Sequence, residues 1–185
     1  MQNKSRAISI TGILAALSAI LYIYPHFVVL PGFTMFKMDF ADIPALLAST
    51  IISPAFGVIV VLIRDALHLF VSDTLGIGEL SNFIISSSYV LVAGLIINKA
   101  SLKRLIVGVV AATVVAVAVS VASNYFIIIG LYEKFVNPEI MTFVGGVKNY
   151  IVAGVFPFNI IKQSINSVIF VIVFKALIPK IKQYI

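Results

Sequence analysis

The chain has 185 residues, a formal net charge of +6 and no cysteine, and it is 61% hydrophobic and 11% charged. A soluble domain of this length cannot hide so much apolar surface, so the composition excludes a soluble enzyme and points to an integral membrane protein. Six helices of about 20 residues with short loops would use up the chain, so the expectation is one all-α, polytopic six-transmembrane-helix bundle over residues 1–185. Any ATPase would then be another polypeptide, and a disulfide framework or thiolate metal site is out of reach.

Met1 to Arg6 is short, polar and basic. Ala7 to Tyr24 is apolar and long enough to span. A signal peptide is the rival reading, but the run is long for one and lacks a clear small-x-small cleavage site. Ala15 and Ala19 in this first helix form a small-xxx-small pair that lets another helix approach, although alanine is also simply common in membrane helices.

Pro25 to Phe40 reads as a loop, rich in aromatic residues at Phe27, Phe33, Phe36 and Phe40. Such a loop would lie in the interface or close over a pocket. Asp39-Phe40-Ala41-Asp42-Ile43-Pro44 reads as a helix start, with acidic residues at the positive end of the dipole and proline in the first turn. Helix 2 is short and ends near Ser53. Helix 3 runs from Pro54 to about Val71 and carries Arg64, Asp65 and His68. As sequence neighbours, Arg64 and Asp65 are expected to diverge, whereas Asp65 and His68 are i, i+3 and suited to pairing. Either a proton relay or a structural ion pair would account for them.

Ser72 to Leu80 reads as a polar turn, Asn82 to Asn98 as helix 4 and Lys99 to Arg104 as a basic loop. Helix 5, from Leu105 to about Leu131, is longer than a span needs and carries a polar patch of Ser120, Ser123, Asn124 and Tyr125. Tyr132 to Ala153 reads as a polar loop or a short amphipathic piece. Helix 6 then opens at Phe156-Pro157 and continues to Ile178. Asn159, Lys162, Gln163 and Asn166 share one of its faces at i, i+3, i+4 and i+7. A polar stripe with an ammonium group is costly in lipid unless it meets protein, water or a ligand. The bland account is a snorkelling lysine and an asparagine packed against another helix.

Six spans place both termini and the basic loop on one side. That side receives Lys4, Arg6, Lys99, Lys103, Arg104, Lys175, Lys180 and Lys182, while the other holds Asp39, Asp42, Asp73, Glu79, Glu133 and Glu139 with Lys37, Lys134 and Lys148. The positive-inside rule puts both termini in the cytoplasm. The basic charge is thus topological, and nucleic acid is not an expected partner. There is no H-E-x-x-H, G-x-S-x-G or Walker A sequence, so an enzyme is not expected. What remains is an outer pocket of amides, one cation and aromatic walls, suited to a flat ligand with polar edges.

At these residues the chain resembles the substrate-binding S components of energy-coupling-factor (ECF) vitamin transporters, most closely the riboflavin type. The matching stretches are Met38-Asp39-Phe40-Ala41-Asp42-Ile43-Pro44-Ala45, Ser53-Pro54-Ala55-Phe56-Gly57, Ser81-Asn82-Phe83, Ser123-Asn124-Tyr125 and Val152-Ala153-Gly154-Val155-Phe156-Pro157-Phe158-Asn159-Ile160-Ile161-Lys162. The resemblance implies a six-helix membrane subunit that binds riboflavin from outside as its transported ligand, with no cofactor. Another vitamin or flavin mononucleotide is the alternative ligand, and a small membrane enzyme or structural membrane protein the alternative class. It implies partnership with a transmembrane coupling subunit and two cytosolic ATPase subunits in the cell membrane of a prokaryote. By the family pattern Asn124, Asn159 and Lys162 hydrogen-bond the vitamin, and the matched stretches add Asp39, Phe40, Asn82 and Tyr125 to the ligand-binding set. Ala15 and Ala19 correspond to the alanine motif that docks on the coupling subunit. Arg64-Asp65 stands where the family pattern leads one to expect a Lys-Asn-like pair.

Overall fold

The structure, a computed structural model, describes residues 4–97 and 101–181. Met1, the expected end of helix 4 at Asn98, and the basic residues Lys99 and Lys182 lie outside the described residues. In chain order come α1 (Lys4–Ile23), α2 (Asp42–Ile51), α3 (Pro54–His68), α4 (Ile77–Ile96), α5 (Leu102–Ser123), α6 (Ile129–Phe135), α7 (Ile140–Phe143), α8 (Gly146–Asn149) and α9 (Phe156–Ile181). A π-helical turn, Asn124–Ile128, joins α5 to α6, and a second, Tyr150–Val155, joins α8 to α9. Five continuous helical stretches are long and apolar enough to cross a membrane: 4–23, 54–71, 77–96, 102–135 and 146–177.

The sixth helix, α2, has only 10 residues. At about 1.5 Å per residue it covers roughly half of a hydrocarbon core about 30 Å thick. The loop before it would have to supply the rest of a crossing, and it carries a two-residue antiparallel ladder pairing Phe27 with Met38 and Val28 with Lys37. Non-helical backbone survives at such depth only where protein covers it or a polar cavity adjoins it. Both hold here: Met38, Asp39 and Asp42 are buried, and Asp39 reaches a cavity.

Two element starts differ most from the sequence reading. Helix 4 starts at Ile77 instead of Asn82, because Gly76 turns the chain with a positive φ of 85° and the helix begins at once behind it. The last span starts at Gly146 instead of Phe156, so part of the expected loop 132–153 is helical.

Helices α2, α3 and α4 meet around Ser49, whose hydroxyl donates to the Val90 carbonyl. Gly57 and Gly94 give it room, and a Cβ at either would collide with the Ser49 side chain. The main core of Leu46, Val60, Tyr89, Val90, Ala112 and Phe170 fills the space below the cavity. A second cluster, with Phe33, Met141, Val144, Tyr150 and Val155, packs the aromatic loop against the second π-helical turn. Gly154 makes that contact possible, since a Cβ there would strike the rings of Phe33 and Phe36.

Candidate functional site

A cavity of about 760 Å³ opens between α1, α3, α4, α6, α9, the two π-helical turns and the aromatic loop. Its innermost wall is a hydrogen-bonded chain of charges. Lys162 on α9 donates to Asp39 Oδ2 at 2.7 Å and to Asn82 Oδ1 at 3.3 Å. Asn82 on α4 donates to Asp65 Oδ1 at 2.9 Å, and Arg64 Nε reaches the same oxygen at 3.0 Å. The Arg64 Nη1 group continues to Asp42 Oδ1 at 2.9 Å. The remaining Asp39 oxygen accepts the Ala41 N–H at 3.0 Å, and the Asn166 amide donates to the Asp39 carbonyl at 3.1 Å. Buried charges survive when each finds a partner of opposite sign and further hydrogen bonds.

This network corrects three expectations. Arg64 and Asp65 do pair although they are sequence neighbours, because the long arginine side chain folds back through Nε while its Nη1 reaches another helix. Asp65 does not pair with His68; it turns to Asn82, and His68 Nδ1 lies 2.6 Å from Glu79 Oε1. Asp39 and Asp42 are not simply dipole-capping residues, since each forms an ion pair with another helix, Asp39 to Lys162 and Asp42 to Arg64.

On the α5–α9 side the wall is amide and aromatic. Asn124 opens the first π-helical turn, and its Oδ1 accepts the Tyr150 hydroxyl, which opens the second, at 3.2 Å. The Asn124 amide donates to the Ser120 carbonyl at 2.9 Å, and the Asn159 amide to the Val155 carbonyl at 2.9 Å. The Phe36 ring stacks on Phe158 with centroids 5.0 Å apart and meets Tyr150 at 5.5 Å. Flat rings beside amides make a slot for a planar molecule with a donor–acceptor edge.

On the α1–α3 side the wall is hydroxyl-rich. Glu79 accepts from the Ser72 hydroxyl at 2.9 Å and the Thr74 hydroxyl at 3.2 Å, in addition to its contact with His68. The Tyr22 ring lies 4.3 Å from the His68 ring, with Arg64 over its other neighbourhood at 5.1 Å from the centroid. At the rim Lys37 bonds Asp73 at 3.2 Å, and both are exposed. No group of three or more potential metal ligands occurs among the described residues.

Of the residues anticipated from the sequence, Asp39, Asn82, Asn124, Asn159 and Lys162 all line this cavity. Phe40 and Tyr125 do not. Phe40 follows Asp39 in extended chain, so its side chain takes the opposite side and meets Phe27, with ring centroids 6.1 Å apart. Tyr125 follows Asn124 on a helix and is turned outward, 58% exposed against Phe126. Ala15 is buried in the chain's own core and Ala19 is half-buried; the small residues on the open face of α1 include Gly12 and Ala16. Sequence reasoning missed Glu79, His68 and Tyr150 as cavity residues. The i, i+3 spacing of Glu79 and Asn82 marks a shared face only once α4 is known to begin at Ile77.

Comparison with known proteins then gives a consistent result. The family model for the ECF transporter substrate-specific component matches residues 6–174. The chain is 33% identical to "Riboflavin transporter RibU" of Staphylococcus aureus (strain TCH60), covering 99% of this chain and 95% of the relative. It is 30% identical to "Riboflavin transporter FmnP" of Bacillus subtilis (strain 168), covering 80% of this chain and 79% of the relative. A solved structure described as the S component of a bacterial ECF transporter superposes with a TM-score of 0.80 at 30% identity, over 97% of this chain and 99% of that one.

Proposed function

Because the chain belongs to the family of ECF transporter substrate-specific components, we propose that its cavity takes riboflavin and that the loaded subunit delivers the vitamin to a coupling subunit for import. The chain is a multi-pass membrane protein that binds and hands on a substrate, with no enzyme chemistry to perform. The observation that carries the riboflavin reading is the pairing, in one cavity of about 760 Å³, of an aromatic slot with an amide and ammonium edge. That volume lies in the usual range for small-molecule sites. The isoalloxazine ring is flat with a polar carbonyl edge, so Phe36, Phe158 and Tyr150 would cover its faces while Asn124, Asn159 and Lys162 meet its edge. The riboflavin transporters among its relatives support the same ligand. Protein purified in detergent without heating should carry flavin absorbance, and the extracted chromophore should be riboflavin. Colourless protein that also fails to quench the fluorescence of added riboflavin would overturn the reading.

Both termini would lie in the cytoplasm, as the excess of lysine and arginine on that side supports. The native chain has no cysteine, so single labels report cleanly. In intact cells Glu139→Cys should react with an impermeant maleimide and Lys103→Cys should not. Labelling of Lys103→Cys from outside would reverse the orientation.

Import would need a transmembrane coupling subunit and two ATPases, as family membership supports. The face of α1 open to a helical partner is the one carrying Gly12 and Ala16; a Cβ at Gly12 would meet nothing within 4 Å. Small residues let helices approach closely in lipid. Gly12→Trp with Ala16→Trp should therefore abolish riboflavin uptake by cells while the purified variant still binds riboflavin. Uptake at the unaltered rate would remove docking from this face.

A further inference from the structure

The cavity has two chemically different ends, and only the amide and aromatic end is needed to hold a flavin ring. The other end, where α3 and α4 meet, is lined by the Thr74 and Ser81 hydroxyls, the His68 ring and the Glu79 carboxylate, and the Ser72 hydroxyl supports Glu79 from outside the lining. If the ring lies against the Phe36 and Phe158 stack and the amides, the ribityl chain is directed to this end. A polyol and a row of hydroxyls with one carboxylate are matched partners, since each hydroxyl both donates and accepts.

Glu79 stands apart from the other carboxylates of the cavity. Asp39 is neutralised by Lys162 at 2.7 Å, and Asp73 by Lys37 at 3.2 Å. Glu79 has no lysine or arginine partner among the described residues; it pairs with the His68 imidazole at 2.6 Å and accepts from two hydroxyls. The lining therefore holds three carboxylates against two ammonium groups, and the carboxylate that is paired with an imidazole instead of an ammonium sits at the tail end. The Glu79 side chain is 6% exposed, so water screens it little. A carboxylate offers about four acceptor positions; three are used, which leaves one for a ribityl hydroxyl.

We propose that Glu79 is a specificity residue that admits riboflavin and rejects its 5′-phosphate. This inference rests on the riboflavin reading above. A neutral ribityl terminus gives Glu79 a donor, whereas a phosphate brings two or so negative charges against a buried carboxylate. Discrimination built from a repulsive contact is a common device, and a like-charge pair at an interface costs enough to decide between ligands. Lys162 does not offset this, because it is buried against Asp39 and Asn82 at the inner wall. Lys37 is an exposed rim cation already engaged by Asp73.

The test uses the full chain in detergent and titrates three probes by fluorescence quenching: riboflavin, riboflavin 5′-phosphate, and the neutral riboflavin 5′-acetate ester, which adds bulk without charge. In the unaltered protein the phosphate should bind at least roughly a hundredfold more weakly than the acetate. Glu79→Gln keeps the acceptor oxygen and removes the charge, so the gap between phosphate and acetate should narrow about tenfold or more. If Glu79→Gln does not fold, Thr74→Lys places an ammonium beside the same carboxylate and should narrow the gap in the same direction. Equal binding of phosphate and acetate by the unaltered protein overturns the proposal, and so does a gap that neither variant changes. Failure of the unaltered protein to bind riboflavin at all overturns the riboflavin reading instead.

Discussion

Arg64→Met should cost the folded protein about 3–5 kcal/mol, the usual penalty for leaving one half of a buried ion pair alone. Arg64 is wholly buried, and its guanidinium holds Asp42 at 2.9 Å and Asp65 at 3.0 Å, themselves almost fully buried. Methionine fills much of the same volume, so the loss is electrostatic and not a cavity. Two buried carboxylates would then lose the guanidinium that bonds both, in surroundings too dry to screen them. Size-exclusion profiles after graded heating in detergent should show Arg64→Met aggregating well below the unaltered protein. The triple variant Arg64→Met, Asp42→Asn, Asp65→Asn should recover part of the loss, because replacing a whole buried ion cluster is milder than breaking it. Arg64→Met with an unchanged profile would mean that the cluster contributes nothing to the fold.

Lys162→Ala should weaken riboflavin binding by roughly 10- to 150-fold, the equivalent of a charged hydrogen bond worth about 1.5–3 kcal/mol. Asn124→Ala and Asn159→Ala, each losing a neutral bond worth about 0.5–1.5 kcal/mol, should weaken it less. Lys162 also neutralises Asp39, so the single variant alone does not separate contact with ligand from support of the wall. The double variant Asp39→Asn, Lys162→Ala does. If Lys162 acts only by balancing Asp39, the double variant binds like the unaltered protein; if it meets the flavin, the double variant remains weak. Riboflavin titration of all four variants at fixed salt decides, and unaltered binding by all three alanine variants would remove these residues from the ligand.

The sequence shows the spans, the polar stripe of α9 and the aromatic loop because each depends on composition or on helical period, which are local. Lys162, Gln163 and Asn166 are all buried, as a one-sided stripe requires. The partners of the charges were not legible in the same way. Arg64 to Asp42 spans 22 positions and Lys162 to Asp39 spans 123, so nothing in local spacing joins them. The rule that neighbours on a helix diverge describes short side chains and does not bind arginine, which is long enough to serve two carboxylates at once. Tyr125 illustrates the opposite limit: a motif that includes Asn124 carries its neighbour along, although the helix turns that neighbour away. Glu79 was hidden by a boundary, because a polar, glycine-containing stretch conceals where a helix begins. The start of the last span at Gly146 was hidden by the polar composition of the segment around it.

The two π-helical turns bear on how much change of length the spans can take. Such a turn holds about one more residue than an α-helical turn and is frequent at functional sites. Asn124 heads one of these turns and Tyr150 the other, and they bond across the cavity. Deleting one residue from 125–128 would let an ordinary α-helical turn of about 3.6 residues close there, and Asn124 would lose the wide turn that presents it to Tyr150. One-residue changes of length are ordinarily absorbed by loops; here the span itself holds the length that closes the pocket, and a chain shortened at either turn would have to join Asn124 to Tyr150 in another way.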